Sequence, residues 1–258
     1  FPEASVFGAF SVGIFAFWLH YWSLNHQSKI ALWMLLISVF ALLRSTSSGA
    51  YVAWMMYLVL YGTFLMVTRM QGRLPGRAIT VAIAVVLAGW TLGWILFVAA
   101  ETLPPVTAFL DRTLFEKLET NSAIERMSWN TQALKNFGDT WLLGAGLGSV
   151  RASNWLMASL GSIGVLGTGF YLLFLANMFR LSPPAEDTEN RVLTESIKAA
   201  CFAFFCSDLL IATTPNPGIF FFALAGLSTG LSRGSQVRAL QRPQWQAPSQ
   251  NQVSSAPT

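Results

Sequence analysis

The stretch 155–179, WLMASLGSIGVLGTGFYLLFLANMF, holds 25 residues without a single charge. A helix that crosses a bilayer needs about 20 mostly apolar residues, so this run is long enough to be one span. Six further apolar runs lie on either side of it, at roughly 4–22, 30–43, 50–68, 78–100, 197–213 and 217–231. The 78–100 run is as clean as the first. The 30–43 run stops after fourteen residues at Arg44, and glycines interrupt 217–231, so these two are read as short or tilted spans. The expectation is an all-α, polytopic membrane protein of about seven helices, with a membrane domain over 1–233.

Composition agrees. The chain of 258 residues is 53% hydrophobic and 11% charged, with ten Trp and twenty Phe. A soluble domain carries roughly 25% charged residues, so an ordinary cytosolic enzyme, a disordered chain and a disulfide scaffold are excluded. The net charge of +4 is too small and too scattered for a nucleic-acid surface, and no nucleic-acid partner is expected. Cys201 and Cys206 stand five residues apart, about 140° around a helix, and read as small packing residues rather than a disulfide or metal ligands. The chain starts at Phe1 without the basic flank and cleavage site of a signal peptide, as expected of the C-terminal portion of a longer membrane protein.

Basic loops set the orientation. Arg69, Arg73 and Arg77 crowd the loop 69–77 without an acid, which assigns it to the cytoplasm. Alternation then puts 44–49, 101–154 and 214–216 outside, with 180–196 and the tail inside. His20 and His26 fall on the cytoplasmic side, away from any outer site. In the large loop, Ser122 and Glu125 have capping-box spacing, and Ile124, Met127, Thr131, Leu134 and Phe137 recur with helical period. The segment 122–137 is read as an amphipathic helix on the outer membrane face or over a cavity mouth, with Arg126, Asn130 and Lys135 on its polar side. From 234 onward Ser, Gln, Pro and Asn dominate, and 234–258 is read as a disordered cytoplasmic tail.

Candidate chemistry sits on the outer side. Arg44, followed by Ser45-Thr-Ser-Ser-Gly49, ends the second run; an Arg there either snorkels to water or recognises a phosphate. Arg126 reads as a solvated residue or an anion contact. Arg151 follows Gly144-Ala-Gly-Leu-Gly-Ser149, which is either a flexible re-entry loop or a set of backbone N–H groups for an anion at a helix N-terminus. Glu3 and Asp208 stand near the outer ends of the first and sixth runs as bases, Arg partners or interfacial residues. Trp18, Tyr21, Trp22, Trp141 and Trp155 suit interface belts, and Trp129, Trp141 and Trp155 also suit sugar stacking. No Ser/His/Asp set and no metal-ligand cluster is found, and no cofactor is expected.

In order and spacing these features resemble the O-antigen polymerase and O-antigen ligase family of bacterial polysaccharide assembly. The residues concerned are Phe1-Pro-Glu-Ala-Ser5-Val-Phe-Gly8, Leu43-Arg44-Ser-Thr-Ser-Ser-Gly49-Ala50, Glu125-Arg126-Met-Ser-Trp129, Leu142-Leu-Gly144-Ala-Gly146-Leu-Gly148-Ser149 and Leu160-Gly-Ser-Ile-Gly164-Val-Leu-Gly167. Two departures matter. Ser153-Asn154 stands where ligases carry His-Asn, and Ser48 stands at the family's arginine place, with Arg44 about one turn earlier. The missing His favours the polymerase branch.

The resemblance implies a metal-independent glycosyltransferase of type-C architecture in the bacterial inner membrane. It implies an undecaprenyl-diphosphate-linked glycan as substrate, and a flippase and chain-length regulators as protein partners. Arg126, Arg44 and Glu3 would be catalytic. Arg151, Ser153, Asn154 and Trp129 would bind substrate. A ligase acting on a lipid or protein acceptor, a transporter or flippase, and a structural membrane subunit are the alternatives.

Overall fold

The computed structural model describes residues 3–70 and 121–241. The expected span 78–100, the first part of the large loop and the tail beyond Gln241 lie outside the described residues. Among the described residues there are seven α-helices and no strand: α1 Ala4–Leu24, α2 Lys29–Arg44, α3 Ser48–Met70, α4 Asn121–Asp139, α5 Trp155–Arg180, α6 Thr188–Ile211 and α7 Gly218–Gln241. Two of them, α1 and α5, are long and apolar enough to cross a membrane.

The central element is α6. One face of it joins α1, α2 and α3 in a core of Val12, Phe15, Leu19, Leu42, Tyr57, Ala203 and Cys206. Its other face joins α5 and α7 through Ile197, Cys201, Leu175, Met178 and Phe221. The two cysteines are buried and free, one in each core, as their angular separation predicts. Small residues let α1 approach closely: a Cβ at Gly13 would sit 2.4 Å from the Phe204 ring, and one at Gly8 would sit 2.5 Å from the Ala50 Cβ.

Large apolar side chains also cover the outside of the bundle. On α2 the packed residues include Ala31, Leu35, Ser38 and Leu42, while Ile30, Trp33, Ile37 and Phe40 face outward and are 56–69% exposed. Phe170 on α5 and Ile219 on α7 are 70% and 80% exposed. The interior, meanwhile, holds Ser11, Ser38, Ser159, Ser162, Ser228 and Ser232. A helix with one polar face in water shows the opposite arrangement.

Three expectations are corrected. First, α6 begins at Thr188 rather than near 197. Asp187 caps it, accepting from the Asn190 N–H at 3.4 Å and from Asn190 Nδ2 at 2.8 Å. Its first two turns are polar and so leave no apolar signal. Second, residues 234–241 are helical, not disordered. The Ser235 hydroxyl donates to Asp187 Oδ2 at 2.6 Å and Gln236 Nε2 donates to the Ser182 carbonyl at 3.0 Å, which anchors the polar end of α7 to the α5–α6 turn. Third, 155–179 is not one rod: α5 is broken at Gly164, which has φ 66° and ψ −171°.

Candidate functional site

Four contacts gather one end of the bundle. The start of α1 meets the α2–α3 turn at Gly8, Ser45 and Ala50, and Gly49 lies against Ile211 at the end of α6. The Ala152 N–H donates to the Thr213 carbonyl at 3.2 Å, and the indole N–H of buried Trp155 donates to the Pro215 carbonyl at 3.0 Å. The turns 45–47 and 212–217 and the segment 140–154 therefore share this end, here called the loop end. His20, bonded through Nδ1 to the Tyr61 hydroxyl at 2.6 Å, sits toward the opposite end with Glu195 and Lys198.

The break in α5 is built jointly with the glycine-rich loop. At Gly164 the helix leaves its carbonyls without their usual partners, and the loop supplies them: the Ala145 N–H bonds the Gly161 carbonyl and the Gly146 N–H bonds the Ser162 carbonyl, both at 2.8 Å. In return the Val165 N–H donates to the Leu142 carbonyl at 2.9 Å. The fit depends on bare glycines, since a Cβ on Gly164 would lie 2.3 Å from the Leu143 carbonyl group and one on Gly144 would lie 2.5 Å from the Gly164 nitrogen. Trp141 and Leu142 adopt φ of 54° and 67° to present that carbonyl, at a cost of roughly 1–2 kcal/mol each for a left-handed residue with a side chain. The N–H groups of Gly144, Ala145, Gly146 and Ser149 are all bonded within the protein. These four groups make the stretch a structural joint between loop and helix.

Behind the joint, α4 meets the segment 150–154. The amide of Asn130 pairs twice with Ser153: its Nδ2 donates to the Ser153 hydroxyl at 2.7 Å and its Oδ1 accepts from the Ser153 N–H at 2.8 Å. The Asn154 side chain caps α5, accepting from the Met157 N–H at 2.9 Å. The Arg151 guanidinium lies 4.9 Å from the centre of the Trp129 ring, a contact of ~0.5–1 kcal/mol at an exposed site. Arg126, Trp129 and Asn130 are spaced i, i+3, i+4 and occupy one face of α4.

The face of α4 that packs on the protein is not its apolar stripe. It carries Trp129, Asn130 and buried Ala133, while Ile124, Met127 and Leu134 are 64%, 71% and 47% exposed. Small Ala133 admits Gly161 and Val150 at close range, which bulkier stripe residues would block.

The remaining candidates are dispersed around the same end. Arg44 and Arg126 are exposed and form no ion pair among the described residues. Glu3 accepts from the Ser5 hydroxyl at 3.1 Å and pairs with no arginine among the described residues. Trp155 is 1% exposed and therefore a core residue, which removes it as a sugar platform, whereas Trp141 is 86% exposed. No contact joins Arg44 to Arg126 or Arg151. Reading the sequence as one clean span missed the break, and its signal was the run Gly161, Gly164, Gly167, Gly169 inside that span.

Comparison of the chain with protein-family models, with curated proteins and with solved structures finds no match.

Proposed function

We propose that the protein is a polytopic inner-membrane glycosyltransferase that polymerises undecaprenyl-diphosphate-linked repeat units at the periplasmic face. The observation that carries this reading is Arg151 lying against Trp129 at the loop end, with Arg126 one turn before Trp129 on the same helix. Both are exposed, and neither has a carboxylate partner among the described residues. Unneutralised guanidiniums beside an indole suit a ligand that is an anion at one end and a sugar at the other. The outward Ile, Trp and Phe of α2 and the buried hydroxyls of the interior support a lipid surrounding.

The chemistry needs no metal. A sugar hydroxyl of one repeat unit attacks the anomeric carbon of another, the bond from that carbon to the lipid diphosphate breaks, the diphosphate leaves with the electron pair, and the hydroxyl proton passes to the departing diphosphate or to water. Negative charge grows on the leaving group, where fixed guanidiniums stabilise the transition state. Arg126 and Arg151 serve that charge in this reading, Arg44 is the third candidate, and Glu3 is the acid nearest the start of α1. Ser153 and Asn154 hold the segment carrying Arg151 in place.

Expression of the full-length protein in a host lacking its own polysaccharide polymerase tests the reading. A ladder of repeat units on a glycan gel is expected from the wild type, and Arg126→Ala should lower its rate of formation about 10²–10³-fold, the size of a lost oxyanion donor. Equal ladders sink the role of Arg126. No ladder, with insertion and a matching substrate verified, removes the polymerase reading.

One observation favours a second reading, a transporter of lipid-linked glycan. Transporters use discontinuous helices around a substrate or ion site, and α5 is discontinuous at Gly164. Translocation of a labelled lipid-linked unit across vesicles, without chain growth, would select it.

A further inference from the structure

The glycine-rich stretch 140–150, TWLLGAGLGSV, contains no charge and is bracketed by Asp139 and Arg151. It lies between α4 and α5, outside any helix, yet its polar groups turn inward. The N–H groups of residues 140–146 and of Ser149 are all bonded within the protein. So are both hydroxyls of the stretch: Thr140 donates to the Asn136 carbonyl at 2.7 Å, and Ser149 donates to the Gly146 carbonyl at 2.6 Å.

Its apolar groups do the reverse. Trp141, Leu143 and Leu147 are 86%, 62% and 78% exposed. Side chains that free of neighbours project from the surface and line no groove. The same stretch is tied to α5, where the Val165 N–H donates to the Leu142 carbonyl. Val165 and Leu166 are themselves 50% and 62% exposed, and α5 is one of the two helices long and apolar enough to cross a membrane. The apolar crest of the loop therefore adjoins the outward apolar side of a candidate span.

These properties select the covering partner. A protein interface takes about one hydrogen bond per 100–200 Å² and rewards shape complementarity, whereas this stretch offers projecting side chains and backbone donors already in use. A bilayer makes the demands that the stretch meets: no charge, and polar backbone satisfied from within. Fluid acyl chains also conform to a convex surface. Indoles concentrate at the membrane–water boundary, and segments seated there bury apolar side chains below the headgroups with charges above them.

We propose that the loop 140–150 is set into the bilayer interface, with Trp141, Leu143 and Leu147 reaching below the lipid headgroups. Arg151, next in the chain, then stands at headgroup level, the depth of a lipid-linked diphosphate. This rests on the lipid surrounding of the proposed function and not on its polymerisation chemistry.

The test is a set of single nitroxide labels on the full-length protein, reconstituted in phosphatidylcholine–phosphatidylglycerol vesicles. Leu143→Cys and Leu147→Cys report the loop. Phe170→Cys, on the outward side of α5, is the lipid reference, and Gln132→Cys, exposed on the polar side of α4, is the water reference. Cys201 and Cys206 are 0% exposed and stay unlabelled. Collisions with oxygen should exceed those with a soluble nickel chelate several-fold at Leu143, Leu147 and Phe170, with the order reversed at Gln132. Nickel prevailing at either loop position while Phe170 stays in lipid puts the loop in water and overturns the proposal alone. Exclusion of both reagents overturns it too, because another part of the chain or a second copy then covers the loop. Nickel prevailing at Phe170 removes the lipid surrounding and the proposal with it. Should Leu143→Cys fail to fold, Leu147→Cys decides in the same way.

Discussion

At the end of the bundle away from the loop, the one buried cation among the described residues is fully partnered. Lys198 is 4% exposed, and its ammonium donates to Glu195 at 3.0 Å, to the Ser182 hydroxyl at 2.9 Å and to the Phe179 carbonyl at 3.2 Å. Both ion pairs found among the described residues, Lys198–Glu195 and Arg238–Asp187, belong to this end. At the loop end, Arg44, Arg126 and Arg151 stand exposed without an acid, the backbone takes left-handed turns at Trp141 and Leu142, and a helix is broken. One end closes its valences and holds the helices together. The other leaves charge available and stores strain, as sites that bind or react do.

The largest effect is expected at Gly164. A side chain there meets the Leu143 backbone at 2.3 Å and must also accept φ 66°. Gly164→Val should cost more than about 4 kcal/mol, the range reserved for backbone strain and overpacking combined, and should dissolve the joint between loop and helix. Gly226 in α7 is the control, because nothing lies within 4 Å of its Cβ position. Gly226→Ala should be neutral or stabilising by up to ~1 kcal/mol. Equal melting temperatures for the two variants would mean that the joint is not a structural keystone.

Lys198→Met comes next. It strips Glu195 and Ser182 of their shared donor, and removing one member of a buried pair typically costs 3–5 kcal/mol. The Glu195 side chain is 31% exposed, so water compensates in part and about 2–3 kcal/mol is expected. Adding Glu195→Gln should recover much of the loss. A denaturant titration in which the double variant is no better than the single would show that the pair is not what Lys198 contributes.

These two sites also show how far the sequence could be read. Helices α1, α2 and α3 lie within two residues of the apolar runs 4–22, 30–43 and 50–68, because in each the hydrophobic stretch and the helix end together. The runs for α6 and α7 undershoot by nine and ten residues, because polar turns held by Asp187, Ser235 and Gln236 carry no hydropathy. The bend of α5 depends on one φ angle that only a glycine reaches easily, and four closely spaced glycines do not say which of them bends. At the candidate site, the residue types and their common end were legible. The partnerships Trp129–Arg151 and Asn130–Ser153 were not, since each bridges more than twenty residues through a loop with no periodicity. The apolar stripe on α4 was visible, but which face packs was decided by small Ala133 against Gly161.

Asn130→Ala tests the support beneath Arg151. It leaves the Ser153 N–H and hydroxyl without their partner. Both residues are partly exposed, so the loss belongs near the low end of the ~1–3 kcal/mol range for an orphaned polar group. The useful reading is a split: on the proposed reaction, kcat/KM should fall several-fold more than the small change in Tm explains, because the arginine above loses its fixed position. Asn130→Asp keeps an acceptor for the Ser153 N–H, and its second oxygen accepts from the Ser153 hydroxyl instead of donating to it, so it should recover most of the effect. A purely structural Asn130 would lower Tm and leave kcat/KM unchanged at temperatures where the protein stays folded.

The smallest effect belongs to Asp187, and its sign follows from its partners. The Asn190 side chain, then the Ser235 hydroxyl and the Asn190 N–H, donate to the carboxylate and, with Arg238 nearby, hold its pKa below the usual value of 3.8. A carboxyl whose folded pKa is depressed adds stability above its unfolded pKa and loses it as the pH falls through the folded value. Wild type should therefore exceed Asp187→Asn in Tm at pH 7, and the gap should narrow as the pH drops from about 4 toward 2. The group is open to solvent, so salt should narrow the gap too. The loop end offers the contrast: Arg126 has no carboxylate partner among the described residues, so the melting difference between wild type and Arg126→Ala should stay flat across the same pH interval. If the Asp187 gap does not depend on pH, the anchoring of α7 rests on the neutral bonds of Ser235 and Gln236, and the charge at this end is incidental to holding the helix past residue 234.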